Sequence, residues 1–230
     1  PAPPAAQPAG PDRERERAVH LAVDHCRVDA ARSDALRHVV ARPEPPTEKV
    51  SLRHDSPQSV LASNAGPFDI IDISDDYMDE GPANKYAFTV EAIRAYLNSL
   101  SANGVVSIPV SIREFPIYAV RLAEAVRVAL NDVPEPSKHI VVYRSEWIAR
   151  IRISKSAFNN EDIAAIQKFC SDLSFDTSYF HGIDPKSIEV WNELPPVSFE
   201  TKTEVVSRAG PQDALRDDLI ALLGNDGDTF

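Results

Sequence analysis

The stretch between Phe68 and Pro82 constrains the fold of this chain more than any other part of the sequence. An apolar run, Phe68–Ile73, stops abruptly in carboxylates, and six of the twelve residues from Asp69 to Glu80 are acidic. This pattern is typical of a buried strand that delivers acids to the carboxyl edge of a parallel sheet, where open α/β folds bind ligands. Because like charges repel, so many carboxylates require solvent, a metal ion or a cationic ligand beside them.

Composition limits the possible functions. The chain has 230 residues, of which 43% are apolar, which suits one ordinary domain with tails or one large domain. Its net charge of −11 argues against nucleic acid as the main partner, because phosphate binding needs a basic face, and leaves small cations as plausible ligands. Two cysteines far apart in sequence, Cys26 and Cys170, indicate buried thiols in a reducing compartment and not a disulfide or zinc framework.

The location that we expect is the cytoplasm, including the cytoplasmic face of a membrane. No run approaches the length of a membrane-spanning helix, and no basic segment followed by an apolar one marks a signal peptide. The chain begins at Pro1 and not at Met, as a processed protein or a piece of a longer one would. Attachment to a membrane through segments outside this sequence therefore stays open.

Three regions are expected along the chain. Residues 1–17 form a Pro/Ala-rich and charged tail or linker, since five prolines fall within the first eleven residues. Residues 18–200 form an α/β domain, and residues 201–230 form a C-terminal helix and tail.

Strand and helix patterns alternate within the domain. The predicted strands are residues 19–23, 49–53, 68–73, 105–112, 139–144 and 148–154. The predicted helices are residues 30–40, 57–62, one capped by Thr89 and stopped by Gly104, one opened by Pro116, one capped by Asn160, and residues 213–223.

This order predicts an α/β fold with a Rossmann-like, mostly parallel sheet and right-handed crossovers. The last two strands are so close in sequence that they indicate an antiparallel hairpin at the sheet edge. Such an arrangement is that of class I S-adenosylmethionine-dependent methyltransferase-like folds, which bind S-adenosyl ligands.

Acids follow three of the predicted strands. Asp24 ends the first, Asp55 the next, and Asp72 with Asp75 the third. In a nucleoside-binding sheet such acids hold, in turn, the ribose hydroxyls, the adenine amino group and the reacting group. The simpler interpretation is that these side chains cap local turns in solvent. The acids at 75–80 lack the spacing of a calcium loop, so we expect no metal site there.

At these acids the chain resembles a family. Asp72-Ile73-Ser74-Asp75 resembles the Asp-x-Ser/Thr-Asp motif of spermidine synthases (aminopropyltransferases), and the intervals of 31 and 17 residues from Asp24 to Asp55 and from Asp55 to Asp72 fit the order of their acids. Residues 88–93, 100–106 and 139–145 are also similar, and the resemblance covers about residues 19–180.

The resemblance implies a reaction and a role for each acid. Decarboxylated S-adenosylmethionine would offer its aminopropyl carbon to putrescine. Asp72 would orient and deprotonate the attacking amine, and Asp75 would anchor the charge of the substrate. Asp24 and Asp55 would bind the S-adenosyl ligand, and no metal would be needed, because the sulfonium is already a good leaving group.

The chain also departs from the family pattern. The glycine-rich loop is missing, since only Gly10 occurs before Gly66, and the family's first strand is missing or replaced by residues 12–17. Asp76 stands in place of a proline, and Ile73 in place of a small polar residue. We therefore expect a degenerate domain without turnover that serves as a structural or accessory subunit of a larger assembly, membrane-associated or not, with other protein subunits as partners.

Two alternatives remain open at this point. One is an active aminopropyltransferase that uses decarboxylated S-adenosylmethionine, or a related S-adenosylmethionine enzyme, with its loop supplied by another chain or by sequence outside this one. The other is a polyamine-binding sensor that uses the acidic edge without chemistry.

Overall fold

The computed structural model describes residues 18–21, 57–62, 67–73, 85–112, 116–194 and 212–224. The strands are β1 (Ala18–Leu21), β2 (Phe68–Ile73), β3 (Leu100–Ser111), β4 (Ile140–Arg144), β5 (Ile148–Ser154) and β6 (Asp176–Tyr179). The helices are α1 (Pro57–Ala62), α2 (Val90–Ser99), α3 (Ile117–Ala129), α4 (Asn160–Asp172) and α5 (Ala214–Leu223). Short 3-10 turns cover Lys85–Phe88 and Pro136–His139. The helix and strand predicted at residues 30–40 and 49–53 lie outside the described residues.

The strands form one mixed sheet in the order β1-β2-β3-β5-β4-β6. β1, β2 and β3 pair in parallel, whereas β5 pairs antiparallel with both β3 and β4, and β6 pairs antiparallel with β4. The prediction of a mostly parallel sheet is therefore wrong for the described residues, in which three of the five pairings are antiparallel. The predicted hairpin of β4 and β5 is antiparallel, but it does not lie at the edge, because β6 extends the sheet beyond β4.

Helices α2, α3 and α5 cover one face of the sheet. α2 connects β2 to β3 and α3 connects β3 to β4, and these strands run in the same direction, so right-handed crossovers bring both helices to the same side. The core lies between this face and the helices. Its fully buried side chains from the sheet are Ile71, Ile73, Val106, Ile108, Val110, Val142, Ala149, Ile151, Ile153 and Tyr179.

Helix α4 joins β5 to β6, two strands that are antiparallel to β1, β2, β3 and β4. Because the strand direction is reversed, a right-handed crossover brings α4 to the opposite face of the sheet. The Phe169 ring of α4 meets the Tyr143 ring edge-on at 5.8 Å, and Tyr143 points away from its fully buried neighbour Val142. Cys170 is the one residue of α4 that is fully buried. The helix therefore rests on the margin of this face.

Local chemistry explains where helices begin and end. Thr89 caps α2 as predicted, accepting a bond from the Ala92 amide at 3.2 Å. Gly104 does not stop this helix, because the chain enters β3 at the buried Leu100. α4 is capped by Asn159 and not by the predicted Asn160, and the Asp162 carboxylate completes a capping box.

A buried cluster of charges joins β4, β6 and α5. Arg144 lies 3.3 Å from an Asp176 oxygen and 3.2 Å from an Asp213 oxygen, with all three side chains almost completely buried. Asp213 caps α5 and accepts a bond from Ser178 at 3.1 Å, while Arg216 donates to the Thr177 carbonyl at 2.8 Å. Burial lowers the pKa of Arg216. Since each charge has partners inside the cluster, we interpret it as the structural link between the C-terminal helix and the sheet.

Candidate functional site

Asp72 is the one predicted site residue within the described part of the chain. It is the fifth of the six residues of β2, and its neighbours Ile71 and Ile73 are fully buried in the core. Because side chains alternate along a strand, Asp72 points to the opposite, open side of the sheet. Its side chain is 24% exposed.

Arg150 of β5 reaches across β3 to this carboxylate. Its Nη1 donates to an Asp72 oxygen at 2.7 Å and also to Ser107 Oγ at 3.0 Å. The sheet register explains the contact: Asp72 lies beside Ser107, and Arg150 lies beside Pro109, two residues farther along the same face of β3. A long arginine side chain spans such a diagonal. The predicted catalytic acid is therefore held by a cation of its own chain.

This pairing determines what Asp72 can do. A carboxylate that accepts a charge-assisted hydrogen bond from arginine is already neutralised on that side. A substrate ammonium group would have to compete with Arg150, which is tethered beside the acid and 35% exposed. The arrangement is suited to fixing β2 against β5 and poorly suited to deprotonating a bound amine.

The other predicted residues cannot be placed. Asp24, Asp55 and Asp75 lie outside the described residues, as does the rest of the acidic segment at 75–80. The backbone of β1 runs parallel to β2, with His20 beside Asp72 in the register. The carboxyl ends of these two strands thus share one edge of the sheet, as the sequence predicted, but the roles of the three acids stay predictions.

Arg152 is a residue of this face that the sequence analysis did not single out. Its guanidinium carbon lies 5.7 Å from the centre of the Tyr143 ring, and its buried Nε has no hydrogen-bond partner within the described part of the chain. The alternation of arginine with isoleucine at 150–153 was the available signal. This alternation indicates a half-exposed strand. Only the sheet order shows that the strand pairs with β3, which in turn pairs with β2, the strand that carries Asp72.

Two cavities lie at the other end of the sheet. One has a volume of about 660 Å³ and is lined by Pro67, Tyr96, Ser99, Leu100 and Lys155, among others. A second, of about 230 Å³, lies between Lys138, Phe158 and His181. Since Pro67 precedes β2 and Leu100 begins β3, the larger cavity is at the amino edge of the parallel strands, remote from the carboxyl edge where the sequence places the acids.

The described ranges contain neither a cluster of metal ligands nor a helix that could cross a membrane. In residues 18–21, 57–62, 67–73, 85–112, 116–194 and 212–224, no three His, Cys, Asp or Glu side chains are grouped so that they could hold a metal ion. No helix in these ranges is both long and apolar enough to span a membrane.

Comparison with known proteins gives similarity in structure alone. No family model and no curated protein matches this chain. A probable spermidine synthase from Corynebacterium glutamicum ATCC 13032 is similar with a TM-score of 0.42 and 19% identity over 60% of this chain and 50% of that one. A spermidine synthase in complex with the transition-state analogue AdoDATO is similar with a TM-score of 0.38 and 20% identity, over 64% of this chain and 47% of that one. The spermidine synthase from Thermotoga maritima is similar with a TM-score of 0.40 and 21% identity, over 64% of this chain and 48% of that one.

The chain thus spans about half the length of these solved structures. The similarity is to spermidine synthases, the family that the acids of the sequence resemble. It concerns the arrangement of the chain and says nothing of activity, substrate or partner.

Proposed function

We propose that this chain is a degenerate spermidine-synthase-like domain that does not turn over and that serves as a structural or accessory subunit of a larger assembly. The observation that carries the proposal is the ion pair between Asp72 and Arg150 at 2.7 Å. The acid that would accept the amine proton is already bound to an arginine of the same sheet.

The sequence adds a second reason. Residues 1–65 contain a single glycine, Gly10, so this chain supplies no glycine-rich loop of its own before the acids at 24 and 55. Without glycines the backbone cannot approach the aminopropyl end of an S-adenosyl ligand closely. Catalysis by proximity depends on that approach, because the transferred carbon must be held in line with the attacking amine.

The alternative function is an active aminopropyltransferase. The exposure of Asp72 favours it, since about a quarter of the side chain remains accessible to a ligand. In this case the loop would come from another chain or from sequence outside this one, and Arg150 would move when substrate binds. A polyamine-binding sensor is the third candidate, and it would bind substrate without turning it over.

One experiment separates the three. The purified chain is titrated calorimetrically with decarboxylated S-adenosylmethionine, methylthioadenosine and putrescine, and aminopropyl transfer is then assayed. We expect neither binding nor transfer in the wild-type chain or in Arg150→Met. Transfer that Asp72→Asn abolishes would overturn the proposal in favour of the enzyme, and putrescine binding without transfer would overturn it in favour of the sensor.

A further inference from the structure

The sheet face that carries Asp72 is partly exposed among the described residues, although Ser107, Val141 and Tyr143 on the same face are buried. We call the open face the surface formed by Ile70 of β2, by Ile148, Arg150 and Arg152 of β5, and by Phe169 at the margin of α4. Among the described residues, α4 is the one helix packed on this side of the sheet. The open face therefore lies beside α4.

The open face exposes large apolar side chains. Ile70 is 41% exposed, Ile148 is 43% exposed and Phe169 is 45% exposed. Ile70 shares its strand face with Asp72, and Ile148 shares its strand face with Arg150 and Arg152. Apolar groups gathered in this way around a few charges are characteristic of a surface that binds another protein.

Arg152 shows which charge this surface would accept. Within the described residues no carboxylate forms an ion pair with it, its Nε has no hydrogen-bond partner, and its guanidinium rests over the Tyr143 ring at 5.7 Å. Arg150, two residues away, is paired with Asp72. The described part of this face therefore carries two arginines against the one carboxylate of Asp72, within a chain whose net charge is −11.

The same charges argue against a second copy of this chain as the occupant. A two-fold contact of the open face with itself would bring the arginines of one copy against those of the other. Like charges facing each other across an interface oppose association, and two chains of net charge −11 also repel at longer range. An occupant segment with carboxylates avoids the first of these costs, because its charges face the arginines.

We propose that the open face binds an acidic segment of a partner protein in which apolar side chains flank the carboxylates. Ile148, Arg150 and Arg152 are spaced two residues apart along β5, about 6.6 Å per step. An extended segment with the same period can place an apolar side chain on Ile148 and carboxylates on the arginines. Arg152 is the anchor, because among the described residues no carboxylate pairs with its guanidinium, and a carboxylate of the partner would gain a charge-assisted bond there.

This inference rests on the proposed accessory role, and its test uses two labelled heptapeptides with the full chain. One is Leu-Ser-Glu-Ser-Glu-Ser-Phe, and the other has lysine in place of each glutamate. Binding is measured by fluorescence anisotropy at low and at physiological salt. We expect the acidic peptide to bind, the lysine peptide not to bind, and Arg152→Met to weaken binding by about tenfold, which is the loss of one charge-assisted bond.

Controls keep the result interpretable. Lys168→Met removes a cation of α4 that already pairs with Asp172 at 2.7 Å, and it should leave peptide binding unchanged. Arg152→Met should change the melting temperature little, because the buried Nε has no hydrogen-bond partner among the described residues and the contact with the Tyr143 ring is weak. Arg152→Lys, which keeps the charge, should restore part of the binding.

Three results would overturn the inference: equal binding of both peptides, no effect of Arg152→Met, or a wild-type dimer in light scattering that Ile148→Glu dissociates. Aminopropyl transfer is assayed on the same sample. Transfer would refute the accessory role itself, whereas absence of both transfer and peptide binding would refute only the assignment of the open face.

Discussion

Arg150 and Asp72 lie 78 residues apart in sequence and form an ion pair at 2.7 Å on the open face of the sheet. The contact joins β2, which carries the acid expected to be catalytic, to β5 across the intervening strand β3. Ser107 of β3 takes part through a 3.0 Å bond from the same arginine nitrogen. A residue expected to act on substrate is thereby engaged in holding strands together.

This ion pair should contribute measurably but modestly to stability. Asp72 and Arg150 are 24% and 35% exposed, so solvent screens part of their attraction. In a double-mutant cycle with Asp72→Asn and Arg150→Met, we expect a coupling energy of about 0.5–1 kcal/mol, measured by urea unfolding of the four proteins.

The matched control is the pair of Lys168 and Asp172, which also meets at 2.7 Å but is 75% and 60% exposed. Its coupling should be no more than about 0.5 kcal/mol. Equal coupling in the two cycles would contradict the view that the sheet-face pair is the more protected one.

The buried charge cluster should be far more sensitive. Arg144→Met removes the cation that lies between Asp176 and Asp213, and it leaves both carboxylates buried with fewer partners. We expect a loss of about 3–5 kcal/mol in the free energy of unfolding, because an uncompensated buried charge is costly.

Arg127→Met provides the comparison, since Arg127 pairs with Glu124 at 2.7 Å but both side chains are 40% exposed. Its cost should stay within about 1 kcal/mol. If Arg144→Met were equally mild, the cluster would not be the link between α5 and the sheet.

Gly104 should resist substitution for steric reasons. A Cβ atom at this position would lie 2.7 Å from the Phe68 carbonyl oxygen and 2.9 Å from the Leu100 Cβ, which is closer than real contacts allow. Since the first of these is backbone, strands β2 and β3 would have to separate. Gly104→Ala should destabilise the protein by about 1–3 kcal/mol in thermal unfolding.

Gly182 provides a control for Gly104, because a substitution there would strain the backbone without crowding any neighbour. Its φ is +81°, but a Cβ there would meet nothing within 4 Å. Gly182→Ala should therefore cost about 1 kcal/mol through conformation alone. A larger loss at Gly182 than at Gly104 would mean that the close approach of β2 and β3 is not the limiting factor.

Acid should weaken one ion pair of α3 in a defined direction. The hydrogen bond from Arg127 lowers the pKa of Glu124 below its ordinary value of 4.5 in the folded state. The folded protein then binds this proton less tightly than the unfolded chain does. Its contribution to stability is present above pH 4.5 and is lost as the pH falls through the folded pKa.

Melting temperatures from pH 7 to pH 3 test this. Glu124→Gln should lower the melting temperature slightly at pH 7, and the difference from wild type should shrink as the pH falls. A difference that is constant across this range would show that the carboxylate charge plays no part.

Sequence reasoning located several elements well because their patterns are local. The bounds of β2 and β5 agree with the predicted strands, since an apolar run and a strict apolar–arginine alternation mark them. It missed β6, because Asp176-Thr177-Ser178-Tyr179 shows no apolar pattern even though all four residues are buried. The polar members of that strand are buried beside Arg144 and Arg216, which no local pattern could indicate.

For this chain, the amino-acid sequence alone located most of the described strands and helices, though not β6, and showed that acids follow the strand at Phe68–Ile73. Only the tertiary structure decided that β5 lies between β3 and β4, and hence that Arg150 meets Asp72 while no carboxylate of the described residues pairs with Arg152. The physical reason is that periodicity reports which side of an element is buried. Which strand lies next to which depends on crossovers and register, and these join residues far apart in the chain.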